Sequence, residues 1–177
     1  MDTARTPSWR FNLNMKIILI GIGQALRGDD AAGLEIVRLW QALHADTAAR
    51  VQVELSEQPG LALLDLLEGM DAAIFVDAVQ ASVPAGTVMR LAPDELARFT
   101  PDAGSTHGWG MVETLQLGRS LAPELLKCKV KLIGIAGAQF DMGAGLSPEV
   151  RSGMKKAVEM VEMEIQNALK CQKKNGG

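Results

Sequence analysis

The chain has 177 residues, 47% of them hydrophobic and 22% charged, which is the length of one domain and the composition of a folded globule rather than a disordered chain. The formal net charge of -3 comes from acids and bases mixed along the sequence, so nothing supplies the basic face that nucleic acid or an anionic membrane requires. Neither partner is expected, and no apolar run approaches the ~20 residues that span a bilayer.

Residues 1–14, MDTARTPSWRFNLN, carry neither helical nor strand periodicity and are expected to form a flexible arm, with Met15 opening the folded part or being itself the start. One α/β domain is expected over residues 15–170, followed by a frayed tail over 171–177. KIILIGI is a continuous apolar run of the kind a strand buried on both faces shows. A signal-peptide reading of this stretch fails because the run ends at Arg27, Asp29 and Asp30 without a small-residue cleavage site, which leaves the cytoplasm as the expected compartment. The loop GIGQALRGDDAAG, residues 21–33, comes next. From Ala31 the pattern takes the helical period, with Leu34, Val37 and Leu39 or Trp40 on an apolar face that ends near Leu43. His44 falls at the end of that helix among exposed positions, where an interaction with the helix dipole, or no role, is expected.

VQVELS alternates as a strand does, residues 61–67 are Leu-rich and helical, and AAIFVDAV is a second buried run ending in an acid, Asp77. After the turn-rich ASVPAG come a strand, TVMRL, and a short helix over 93–99 with Pro93 in a permitted first turn. DAGSTHGWG is a loop carrying His107 and Trp109, MVETLQLGRSL an amphipathic helix, and KVKLIGIAGA another buried strand. Ser147 as N-cap, Pro148 at the first helical position and Glu149 in the first turn announce a last helix that should end near Lys170. This order predicts a three-layer α/β/α sandwich around a mainly parallel, twisted five-stranded sheet. Ligands of such sheets sit beyond the carboxyl ends of the strands.

Gly21 and Gly23 on a strand end invite comparison with a dinucleotide-binding fingerprint, but the third glycine should fall at position 26, which is Leu26. Asp29 and Asp30 would also repel a pyrophosphate at the helix start. One of the two acids is explained as a helix cap, the other equally as a solvated surface acid. Asp77, at the carboxyl edge of its strand, must be either hydrogen-bonded by nearby amides or holding a cation. Together with His107 in its glycine-flanked loop, Asp30 and Asp77 would form an O,O,N site with open positions, suited to nickel or zinc. Spacing alone does not establish that the three converge, and caps and core hydrogen-bond partners remain the alternative. Cys128 and Cys171 have no paired spacing or neighbouring histidine and read as reduced thiols. The methionines read as core filler, except that Met142 in FDMGAG is placed to line a cleft, and Trp109 reads as a packing anchor or an exposed contact.

From Met15 to about Lys170 the sequence resembles the NiFe hydrogenase maturation endopeptidases, nickel-dependent proteases that trim the C-terminus of the hydrogenase large-subunit precursor. GIGQALRGDDAAG resembles the family's first strand-and-acid motif, VDAV with the later PAGT its second acidic segment, STH its histidine loop and GAGLSPEV the approach to its last helix. Gln24 stands where the family usually has Asn, and EQPG replaces a glycine- and threonine-containing turn. The resemblance implies metal contacts and catalytic roles for Asp30, Asp77 and His107, with Asp29 a cap or a support behind them. It implies nickel carried in by the precursor, with zinc or cadmium as surrogates, and metal-assisted peptide hydrolysis in the cytoplasm. A non-catalytic nickel-dependent checkpoint for the same precursor would use the same residues.

Overall fold

A computed structural model of the chain describes residues 15–57, 60–91, 95, 111–121, 123 and 128–174. Of the expected helix at 93–99 only Glu95 is among these residues, in helical conformation, and the arm at 1–14 lies outside them. Strands β1 (Ile17–Ile22), β2 (Gln52–Ser56), β3 (Ala72–Val79), β4 (Val88–Leu91) and β5 (Lys129–Ala136) form one sheet in the order β2-β1-β3-β5-β4. Every pairing is parallel except β4 with β5.

The apolar runs sort themselves by the two-residue period of a strand. Ile17, Leu19, Ile74, Val76, Ile133 and Ile135 face one layer. Ile18, Ile20, Ile22, Phe75 and Leu132 face the other. A run that is apolar at every position is therefore a central strand with both faces covered. On the first face lie α1 (Ala32–Leu43), through Ile36, Val37 and Trp40, and α5 (Pro148–Lys174), through Val150, Val158, Val161, Ile165 and Leu169. On the second face lie α3 (Ala62–Leu67), through Leu63 and Leu67, and α4 (Met111–Leu121), through Leu115. The expected α/β/α sandwich is thus present. Trp40 rather than Leu39 completes the apolar stripe of α1, since Trp40 is fully buried and Leu39 is exposed.

The remaining differences from the sequence reading are local. A single-turn helix, α2 (Ala45–Ala48), follows α1, and α5 continues through Lys174, past the expected end at Lys170. Ser147 does cap α5, its Oγ accepting the Val150 N–H at 3.3 Å. Buried Glu164 on α5 forms ion pairs with Arg90 of β4 and Lys131 of β5, pinning the helix to the sheet. His44 is half-buried, its ring stacked on Trp40 with centroids 6.2 Å apart and its Nδ1 3.7 Å from Glu162 of α5. Among the described residues no helix is long and apolar enough to cross a membrane.

Candidate active site

In the order β2-β1-β3, the chain leaves β1 toward β2 on one side and reaches β3 on the other, so the loops after β1 and β3 diverge and leave a crevice at their carboxyl ends. Asp30 is on the first of these loops and Asp77 is on β3 itself.

The loop after β1 folds back tightly because it lacks side chains where it must. Gly23 has φ 150°, and a Cβ there would stand 1.8 Å from the Asp30 carbonyl oxygen. At Gly33 a Cβ would meet the carbonyl oxygens of Ile22 at 2.1 Å and Val76 at 2.3 Å, so α1 starts pressed against the carboxyl ends of both β1 and β3. The glycines therefore serve close approach, with no phosphate required. A 3-10 turn over Gly28–Ala31 then delivers the two acids.

Asp29 is fully buried. Its Oδ2 accepts the N–H groups of Ala138 at 2.8 Å and Gln139 at 3.0 Å, and its Oδ1 accepts the Ser147 N–H at 2.6 Å. Burial by itself pushes this carboxyl up, but the bonds from Ser147, Ala138 and Gln139 outweigh it and hold Asp29 below the ordinary 3.8. Asp29 does not cap its own helix, because α1 has no side-chain cap bond. It clamps the loop after β5 and the head of α5 to the loop after β1.

Asp30 turns the other way. Its Oδ2 accepts the Gln24 N–H at 3.1 Å, so the bond to residue 24 comes from the backbone and does not require the side chain of an asparagine. Asp77 is half-buried near the end of β3 and shares the face of Ala73 and Phe75 by alternation. The β1 ladder stops at Gly21 opposite Val76, and Asp77 itself is paired with Gly134, so no side chain at the paired position covers it. Burial raises the Asp77 carboxyl well above 3.8, and the negative charge of Asp30 raises it further, against a smaller opposing effect of the Ala78 N–H.

The structure thus brings Asp30 and Asp77 into electrostatic contact at one edge of the sheet, while His107 and Trp109 lie outside the described residues. Two carboxylates, one of them desolvated, concentrate negative charge at this edge, and their oxygens are donors that suit a divalent cation. Among the described residues no group of three His, Cys, Asp or Glu side chains is placed to hold a metal. Buried Cys128 has its thiol raised by that burial, as befits a packing residue. Met142 does line a depression, with Gln24, Leu26, Arg27 and Glu57. In the sequence Leu26 stands out only as the position where a dinucleotide fingerprint would need glycine. The signal that finds it is a large apolar residue in an otherwise polar turn.

Residues 37–164 match the family model of HycI, the hydrogenase maturation proteases. A hydrogenase expression/formation protein, HupD, of Thiocapsa roseopersicina is 31% identical over 149 residues, which are 82% of this chain and 65% of the relative, so the chain spans about two-thirds of that protein's length. The hydrogenase 2 maturation protease of Escherichia coli is 29% identical over 150 residues, 83% of this chain and 88% of the relative. Among solved structures, the hydrogenase maturating endopeptidase HybD from E. coli superposes with a TM-score of 0.74 at 24% identity, covering 87% of this chain and 94% of that one, and so shares the fold.

Proposed function

The chain belongs to the hydrogenase maturation proteases, a family of peptide hydrolases, and on that premise we propose that it removes the C-terminal extension of a NiFe hydrogenase large-subunit precursor once nickel has been inserted. The observation that supports this reading best is the pairing of Asp30 with a desolvated Asp77 at the crevice between β1 and β3. A desolvated carboxylate beside a second acid is costly to maintain in a fold, and a cation arriving with the substrate relieves that cost.

In this reading Asp30, Asp77 and His107 engage the nickel that the precursor presents. Nickel supplies Lewis acidity at the scissile carbonyl, which removes the need for a serine or cysteine nucleophile. The chain's part is positioning. The Gln24 N–H fixes the Asp30 carboxylate, and the β3–β5 ladder fixes the backbone of Asp77, so both acids are held before the substrate arrives. His107 precedes α4 by a short stretch, and a helix that feeds a parallel strand runs against it, which puts the α4 start on the carboxyl side of the sheet. The reaction takes place in the cytoplasm.

A timed incubation with nickel-loaded precursor, followed by intact mass, tests the proposal. The expected result is loss of a C-terminal peptide with the wild-type chain and none with His107→Ala. Equal shortening by His107→Ala removes the histidine from the mechanism. Binding of the precursor without any shortening by the wild type identifies a checkpoint instead of a protease.

A further inference from the structure

We propose that Leu26 and Met142 form a subsite that receives an apolar side chain of the precursor peptide next to the scissile bond. Both are large apolar residues left more than two-thirds exposed, Leu26 at 71% and Met142 at 72%. They come from loops 116 positions apart in sequence that are latched together: the Gly143 N–H donates to the Leu26 carbonyl at 2.7 Å and the Gly28 N–H to the Ala144 carbonyl at 3.1 Å. Their exposure is therefore built into a held surface rather than left on a loose tip.

The depression these two residues line is joined to the acidic pair through Gln24. Gln24 forms part of its wall, and the Gln24 N–H is the group that holds the Asp30 carboxylate. A chain with its scissile bond at Asp30 and Asp77 must pass over Gln24 to leave the crevice on this side. Among the described residues the rim carries one cation, Arg27, and one anion, Glu57, whose opposite charges balance and give no preference for a charged side chain. The Arg27 Nε–H is already committed to the Phe140 carbonyl at 3.4 Å. An uncharged, extended segment with an apolar side chain over Leu26 and Met142 fits this chemistry, and burying that side chain supplies affinity that an acidic crevice lacks.

This subsite rests on the protease reading, and the test separates the two. The double variant Leu26→Glu/Met142→Glu is compared with wild type for binding of nickel-loaded precursor by calorimetry and for its cleavage by mass. Loss of one buried apolar contact should weaken binding about tenfold or more and raise KM by a like factor, with kcat near wild type. Leu43→Glu, at a residue 64% exposed at the far end of α1, should change neither. The milder pair Leu26→Ser/Met142→Ser, whose melting curve should match wild type, guards against misfolding. Wild-type binding and KM in both double variants overturn the subsite and leave the protease reading standing. Wild type that binds through Leu26 and Met142 but never cleaves overturns the protease reading and keeps the subsite. Wild type that does not bind the precursor overturns both.

Discussion

Asp29 and Asp30 are adjacent in sequence and differ in everything that surrounds them. Asp29 is sealed from water with three backbone N–H donors on its oxygens, and it lies below its ordinary pKa. One residue on, Asp30 faces Asp77, and the pair is arranged so that burial and like charge oppose ionisation of Asp77. The first region uses its charge within the fold, tying the loop after β1 to the loop after β5 and the head of α5. In the proposed function the second offers its charge to a cation that arrives with the substrate. A buried acid ringed by N–H donors marks architecture, whereas two acids set side by side with one of them desolvated mark a candidate site.

The sharpest way to break this comparison is to exchange the roles. Asp30→Asn or Asp77→Asn should lower kcat/KM for precursor cleavage by about a thousandfold, on the scale of removing one charge-stabilising group from an active site, while the protein stays folded by circular dichroism. Asp29→Ala should instead destabilise the protein by about 3 kcal/mol in urea denaturation, because three N–H groups, that of Ser147 buried and those of Ala138 and Gln139 partly buried, lose their acceptor. Cleavage by the folded fraction should survive far better than in Asp30→Asn.

A smaller effect is expected at the opposite end of α1. Glu162 accepts the Trp40 Nε1–H at 2.9 Å, the Thr47 hydroxyl at 3.0 Å and a Gln166 amide N–H at 2.8 Å, and it faces His44. Burial pushes its carboxyl up, but these donors prevail and hold it below the ordinary 4.5. A depressed carboxyl adds stability above its unfolded pKa and loses it as pH falls through the folded value. Glu162→Gln should cost about 1 kcal/mol at neutral pH and flatten the acid limb of the stability profile. An unchanged acid limb would assign that limb to other carboxylates.

The sequence shows some of this plainly. β1 and β3 announce themselves as unbroken apolar runs because both of their faces are covered, and Asp77 is placed at a carboxyl edge by ending such a run. The turn at Gly21 and Gly23 shows as well, although its purpose, close approach to Asp30 and α1, does not. What escapes the sequence is pairing over long separations. The Asp29 partners lie 109 to 118 positions downstream, the Trp40 partner Glu162 is 122 away, and the latch between Leu26 and Gly143 has no local pattern at all. Strand order is equally silent, since the crossovers that place β1 between β2 and β3 carry no residue signature.

The most direct test needs no substrate. An acid raised well above its ordinary pKa makes the folded state bind more protons than the unfolded one between the two values, so stability falls as pH climbs through that interval. Neutralising such an acid should relieve the loss. The measurement is the melting temperature of metal-free Asp77→Asn against wild type at about pH 8. A rise of a few degrees, shrinking toward zero near pH 4, is expected if Asp77 is held at a cost to the fold. A fall at about pH 8 would show instead that Asp77 is a satisfied structural acid like Asp29, and would contradict the contrast between the two.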